Sequence, residues 1–89
     1  MRAIETTARF RRDFKRLRHG IDSGLMYEFI ETLVKDQQLP DAARDHALSG
    51  EWVGYRECHI RPDLLLIYKK PDKDTLRLAR IGTHSALFG

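Results

Sequence analysis

Three histidines in the second half of this chain, His46, His59 and His84, stand among residues that could work with their protons. His59 lies four residues before Asp63, and the chain continues through Arg80 and His84 to Phe88. A fourth histidine, His19, sits far away near the first helix. Imidazole takes or gives a proton near neutral pH, and guanidinium can hold a phosphate in a two-pronged grip. Cleaving RNA by its own 2′-hydroxyl needs few parts. A base removes the hydroxyl proton, an acid protonates the departing 5′-oxygen, and cations steady the charge on phosphorus. His46, His59 and His84 with Asp63, plus Arg80, would be enough, with no metal or cofactor. Phe88 could stack on an unstacked base, a contact worth roughly 1–3 kcal/mol. The set points to a small protein that reads nucleic acid and has the parts to cut it.

Each of these residues also has a plainer reading. A lone strand histidine more often packs or faces water than catalyses. Zinc accepts histidine and carboxylate together, but the spacing here fits no compact zinc pattern and there is no second cysteine. No metal site is therefore expected. Cys58 neighbours His59, yet adjacent strand residues point to opposite faces, so a cysteine–histidine nucleophile pair is not expected either. Trp52 and Tyr55 read as half-buried packing residues. Gly50, Gly54 and Gly82 form no phosphate-binding fingerprint, because no helix follows them at the right spacing.

The elements that must position these groups follow from periodicity. Residues 2–5 alternate and read as a first strand. Thr6 or Thr7 can cap a helix to about Arg18, with Phe10, Phe14 and Leu17 on one face and most of the basic residues on the others. His19-Gly20 is a plausible stop. Asp22 or Ser23 can cap a second helix to about Gln37, whose stripe of Met26, Phe29, Ile30, Leu33 and Val34 belongs to the core. Pro40 blocks its continuation. A connector over 40–50 carries His46.

From Trp52 the period changes to two. Tyr55, Glu57, His59 and Arg61 then share one strand face, and Arg56, Cys58 and Ile60 share the other. Pro62-Asp63 makes a turn. Residues 64–68 are apolar on both faces, as in a central strand, and 70–74 form a polar hairpin turn before a last strand over 76–81. The order strand-helix-helix-strand-strand-strand predicts a single α+β domain over 1–89. Its two N-terminal helices pack on one face of an antiparallel sheet. His59, Asp63, Arg80 and His84 can then converge at one sheet edge.

Composition bounds the rest. The chain has 89 residues, 42% hydrophobic and 33% charged, with a formal charge of +3. That is enough for one modest core and argues against disorder. The N-terminus is too polar for a signal peptide, there is no long apolar run, and the one cysteine fits a reducing compartment; a cytoplasmic protein is expected. Arg2, Arg9, Arg11, Arg12, Lys15, Arg16 and Arg18 crowd the start against only Glu5 and Asp13. This is a solvated helix face, a phosphate-backbone surface or a docking face for an acidic partner.

The run from Asp45 to Tyr68 resembles the YafQ-type toxins of the RelE/ParE superfamily of bacterial toxin–antitoxin systems. It carries His46-x-Leu48-x-Gly50-x-Trp52-x-Gly54-x-Arg56-x-x-His59, then Pro62-Asp63 and an apolar strand ending in Tyr68. The closing Gly82-Thr83-His84-Ser85-Ala86-Leu87-Phe88-Gly89 resembles the terminal signature of the same family. The resemblance implies a RelE/ParE-like fold and a ribosome-dependent endoribonuclease that cuts message in the ribosomal A site. It implies His84 and His59 with Asp63 for proton transfer, His46 in support, Arg80 on the phosphate and Phe88 on a base. Acid and base stay unassigned among the histidines. It also implies a cognate acidic antitoxin, and contact with operator DNA only through that antitoxin. Where relatives can carry Trp after Pro-Asp, this chain has Leu64, which removes a stacking surface. A gyrase-poisoning toxin on the same fold, cutting nothing, is the alternative.

Overall fold

In the computed structural model the described residues are 1–17 and 23–89. The expected helix stop at His19-Gly20, the Asp22 cap and the reach to Arg18 lie outside them. The elements are β1 (Ala3–Thr6), α1 (Ala8–Leu17), α2 (Ser23–Val34), β2 (His46–Ala47), β3 (Arg56–Arg61), β4 (Leu64–Lys69), β5 (Thr75–Gly82) and α3 (His84–Phe88). Single 3₁₀ turns occupy Asp41–Ala43 and Gly50–Trp52. Two elements were not expected from periodicity. β2 forms inside the connector, and α3 forms where a tail was expected.

The sheet runs β1-β5-β4-β3-β2. β2 through β5 pair antiparallel, as a meander requires. β1 departs from that expectation and joins β5 in parallel, Ala3 opposite Thr75 and Thr6 opposite Leu78. The two helices between the strands supply the crossover that a parallel pair needs.

Capping chemistry explains the helix ends. Thr7 Oγ1 accepts the Phe10 N–H at 3.0 Å, which starts α1. α2 stops three residues short of the expected Gln37 because Asp36 turns into the left-handed region (φ 56°). Its N–H then donates to Leu33 O and that of Gln37 to Thr32 O, the paired bonds that close a helix C-terminus.

The sheet has a core on each face. Phe10 of α1 and Met26, Ile30, Leu33 and Val34 of α2 pack on Cys58, Leu66, Tyr68, Leu76, Leu78 and Ile81. Leu65, Ile67 and Ala79 turn to the other face, where Leu87 of α3 and the partly buried Leu48, Trp52 and Tyr55 cover them. Trp52 and Tyr55 thus pack, edge to face at 5.2 Å. Each fully buried aliphatic side chain contributes about 1.5–3 kcal/mol. Burial pushes the Cys58 thiol up to about 12, so it stays protonated and unreactive.

Two devices tie the sheet to its surroundings. Asp36 accepts from Arg2 Nε at 2.8 Å and from Lys70 Nζ at 2.7 Å, joining β1, the end of α2 and the β4–β5 turn. The two cations hold its carboxyl down at about 2. Asp45 accepts from the Tyr68 hydroxyl at 2.7 Å and from Arg56 Nε at 3.1 Å, which anchors the chain just before His46. Burial and the Asp45 carboxylate together push the Tyr68 hydroxyl well above its ordinary value.

Candidate active site

The registers of the strands set the site. Glu57 lies opposite Ile67, and Ile67 opposite Arg80; His59 lies opposite Leu65, and Leu65 opposite Gly82. Cross-strand partners share a face, so Glu57 and His59 stand on the side of Leu65 and Ile67, with Tyr55. Arg61 does not join them. A bulge between His59 and Arg61 sets Arg61 opposite Leu64, whose side chain belongs to the other core. Strands lie about 4.8 Å apart, so the His59 and Gly82 backbones are about 10 Å apart across β4. The chain that leaves Gly82 carries His84 two residues on.

β2 brings in His46 directly beside this row, paired with Glu57. The Glu57 carboxylate, buried at 6% exposure, faces both imidazoles. His59 Nε2 lies 3.3 Å from Glu57 Oε1, and His46 Nε2 lies 3.7 Å from Glu57 Oε2. The other ring nitrogens meet carbonyls: His46 Nδ1 reaches Arg44 O at 2.6 Å, and His59 Nδ1 reaches Pro62 O at 3.2 Å. A carbonyl oxygen only accepts, so each Nδ1 carries the hydrogen. Each Nε2 faces the Glu57 carboxylate.

A second group forms at the same end of the sheet. Thr83 caps α3, its Oγ1 accepting the Ala86 N–H at 3.2 Å. Asp63, in the β3–β4 turn, accepts the His84 N–H through Oδ1 at 3.0 Å. The Asp63 carboxylate thus holds the backbone that carries His84. The His84 and Phe88 rings are 5.1 Å apart, one helical turn from each other. Phe88 is 38% exposed, so its outer face is open to a base. Gly82 packs closely under α3. A Cβ at that position would come within 3.3 Å of Leu87 Cδ2.

Arg80 stands in the same cross-strand row as Glu57, with Ile67 between them, and is anchored by an acid of α1. Its Nη2 donates to Asp13 Oδ1 at 2.8 Å and its Nε to Asp13 Oδ2 at 3.0 Å. Asp13 also accepts the Ile81 N–H at 3.2 Å. The bond to Asp13 holds the Arg80 guanidinium still more firmly in its charged form. Arg80 lines a cavity with Arg9, Arg12 and Arg16 of α1.

Sequence reasoning missed Glu57 as a member of the site and Asp13 as a buried anchor. Both left a signal. Glu57 is an acid two residues before His59 on the same strand face. Asp13 falls among Phe10, Phe14 and Leu17 at the spacing of the buried helix face.

The sequence profile of the bacterial toxin YafQ, of type II toxin–antitoxin systems, matches residues 2–89. The mRNA interferase toxin YafQ of Escherichia coli K12 is 42% identical, covering 99% of this chain and 97% of its own. Among solved structures, YafQ in the E. coli DinJ–YafQ complex superposes with a TM-score of 0.88 at 37% identity, each chain covered fully. A metal-bound toxin from Helicobacter pylori superposes with a TM-score of 0.90 at 43% identity, covering 99% of this chain and 100% of its own. Among the described residues here, no three of His, Cys, Asp and Glu gather as a metal-ligating set. With the family profile spanning nearly the whole chain, and with the expected fold in place, this chain belongs to the YafQ family of bacterial toxins from type II toxin–antitoxin systems.

Proposed function

We propose that this toxin is a ribosome-dependent endoribonuclease, cutting message in the ribosomal A site by attack of a 2′-hydroxyl on the neighbouring phosphorus. The observation that carries the reading is the pair of imidazoles on either side of buried Glu57, at the same end of the sheet as the Asp63-held His84. His59 and His84 exchange protons with the attacking 2′-oxygen and the leaving 5′-oxygen, and His46 supports that exchange. Glu57 balances the positive charge that each imidazole gains. Asp63 holds His84 in place. Arg80 supplies positive charge to the phosphate, and Phe88 stacks on a base. A groove of about 560 Å³ beside His59, lined by Phe29, Pro40, Ile60 and Pro62 among others, gives an unstacked base an apolar surface.

The same reading places the toxin in the cytoplasm. There a cognate acidic antitoxin silences it, and the toxin reaches operator DNA only through that antitoxin. An antitoxin partner is supported by the E. coli relative, which was crystallised in complex with DinJ.

Primer extension on message from expressing cells tests the activity. Discrete in-frame breaks are expected with the parent chain. His84→Ala should abolish them and lower the rate by about 10²–10⁴ while leaving the fold intact. Growth arrest with an SOS response and no breaks would assign the toxin to gyrase instead.

A further inference from the structure

His46 reaches the site on the least secured strand of the sheet. β2 is two residues long, lies at the sheet edge and pairs with β3 alone. Arg44, two residues before His46, stands in the left-handed region at φ 51°, and its carbonyl accepts the His46 Nδ1–H at 2.6 Å. A non-glycine residue keeps such a backbone only where its surroundings fix it. Two paired residues do little to fix a register, and a slip of one residue would turn His46 to the opposite face of the sheet.

Asp45 supplies what the pairing lacks. Its Oδ1 accepts from the Tyr68 hydroxyl at 2.7 Å and from Arg56 Nε at 3.1 Å. Tyr68 of β4 lies opposite Arg56 of β3, and Arg56 lies opposite Ala47 of β2. The grip therefore runs across three strands, from a Tyr68 ring packed in the core beneath the helices. Tyr68 is buried, so packing fixes where its hydroxyl stands. Successive residues of an extended chain point to opposite faces. With Asp45 drawn to the helix side, His46 turns to the other, where its Nε2 lies 3.7 Å from Glu57 Oε2. Arg56 and Tyr68 belong to the same motif as His46 and His59, yet they face away from the histidines, and this grip gives them a role.

We propose that Asp45, gripped by Tyr68 and Arg56, is a positioning residue for cleavage: it pins the register of β2 and so holds His46 against Glu57. The part His46 plays in cleavage rests on the reading above; the register does not.

Two measurements on the full chain test it. The first is the NOE between the cross-strand partners His46 and Glu57 in the isotope-labelled toxin. Asp45→Ala should lose it, while NOEs among β3, β4 and β5 persist and report an intact sheet. Asp45→Asn, which keeps an acceptor oxygen, should retain it. Tyr68→Phe, which keeps the ring in the core, should weaken it. The second is single-turnover cleavage on programmed ribosomes. Asp45→Ala should lower the rate roughly 10- to 100-fold, as misplacing a group by about 1 Å does, and Asp45→Asn should restore most of it. In a His46→Ala background Asp45→Ala should cost no further rate, because the residue it positions is gone. An NOE that survives Asp45→Ala overturns the proposal. So does an equal fall in rate in the two backgrounds, which would make Asp45 a general support of the fold. The NOE needs no substrate, so a parent chain that leaves message intact would count against the cleavage reading alone.

Discussion

Glu57 Oε1 and His59 Nε2 lie 3.3 Å apart on one face of β3, with the carboxylate almost wholly shielded from water. A buried carboxylate beside an imidazole stabilises the ring when it takes up a proton. Glu57→Gln keeps the shape and removes the charge. A bond to a charged group is worth about 1.5–3 kcal/mol, so the cleavage rate should fall roughly 10- to 100-fold. Single-turnover cleavage on programmed ribosomes measures it. Full activity in Glu57→Gln would mean that the histidines work without this partner.

Asp63 touches the backbone of His84, which separates its charge from its role as an acceptor. Asp63→Asn retains an oxygen for the His84 N–H, and Asp63→Ala removes it. The alanine variant should lose about 1 kcal/mol, as helix-start acceptors do, and should lose activity because α3 loosens. The asparagine variant should keep both to a large extent. Urea titration and cleavage assays on the two variants decide the matter; equal loss of activity in both would return Asp63 to a proton-transfer role.

Arg80 and Asp13 form a pair in which the acid is 7% exposed. Removing one partner of a buried pair leaves an uncompensated charge, at a cost of about 3–5 kcal/mol. Arg80→Ala should therefore lower stability by roughly that amount as well as reducing activity. The double variant Asp13→Leu/Arg80→Met should recover much of the stability without recovering activity. Chemical denaturation monitored by circular dichroism reads the first effect. A stable, inactive double variant would separate Arg80's electrostatic contribution from its structural one.

Asp36 is held charged by Arg2 and Lys70, with its carboxyl at about 2 against an ordinary 3.8. The depressed value fixes the sign. The pairing contributes fully above about pH 4 and is lost as pH falls towards about 2. Asp36→Asn should be less stable than the parent at neutral pH, with the gap closing across that window. Asparagine tolerates the left-handed backbone that residue 36 adopts, so the substitution tests charge rather than conformation. Thermal melts from pH 7 down to pH 2 provide the comparison. A gap that does not change with pH would exclude the ion pairs as its source.

Much of this arrangement could be read from the chain because hydrophobic spacing carries it. The stripes of α1 and α2 and the doubly apolar β4 declare which way their side chains face. What spacing cannot encode is pairing between distant segments. The parallel union of β1 with β5 has no local signal, and neither does the reach of Arg80 to Asp13 across 67 residues. β2 is only two residues long, too short for periodicity to register, and depends on Asp45 being held by Tyr68 and Arg56. The bulge that turns Arg61 away from His59 is likewise a property of the pairing with β4. The site residues themselves stood out by chemical type and by family resemblance, while Glu57 and Asp13 look like ordinary charged positions until their burial is known.

The late union of β1 with β5 bears on how the toxin is made. Glu5 and Arg77, which join the two strands, are separated by 72 residues. A chain emerging from the ribosome holds its first strand without a mate until β5 has been synthesised and has cleared the exit tunnel. Sheet closure is thus a slow, late event in the life of each molecule. During that interval β5 and the His84 that follows it are not yet seated at the same end of the sheet as Glu57 and His59.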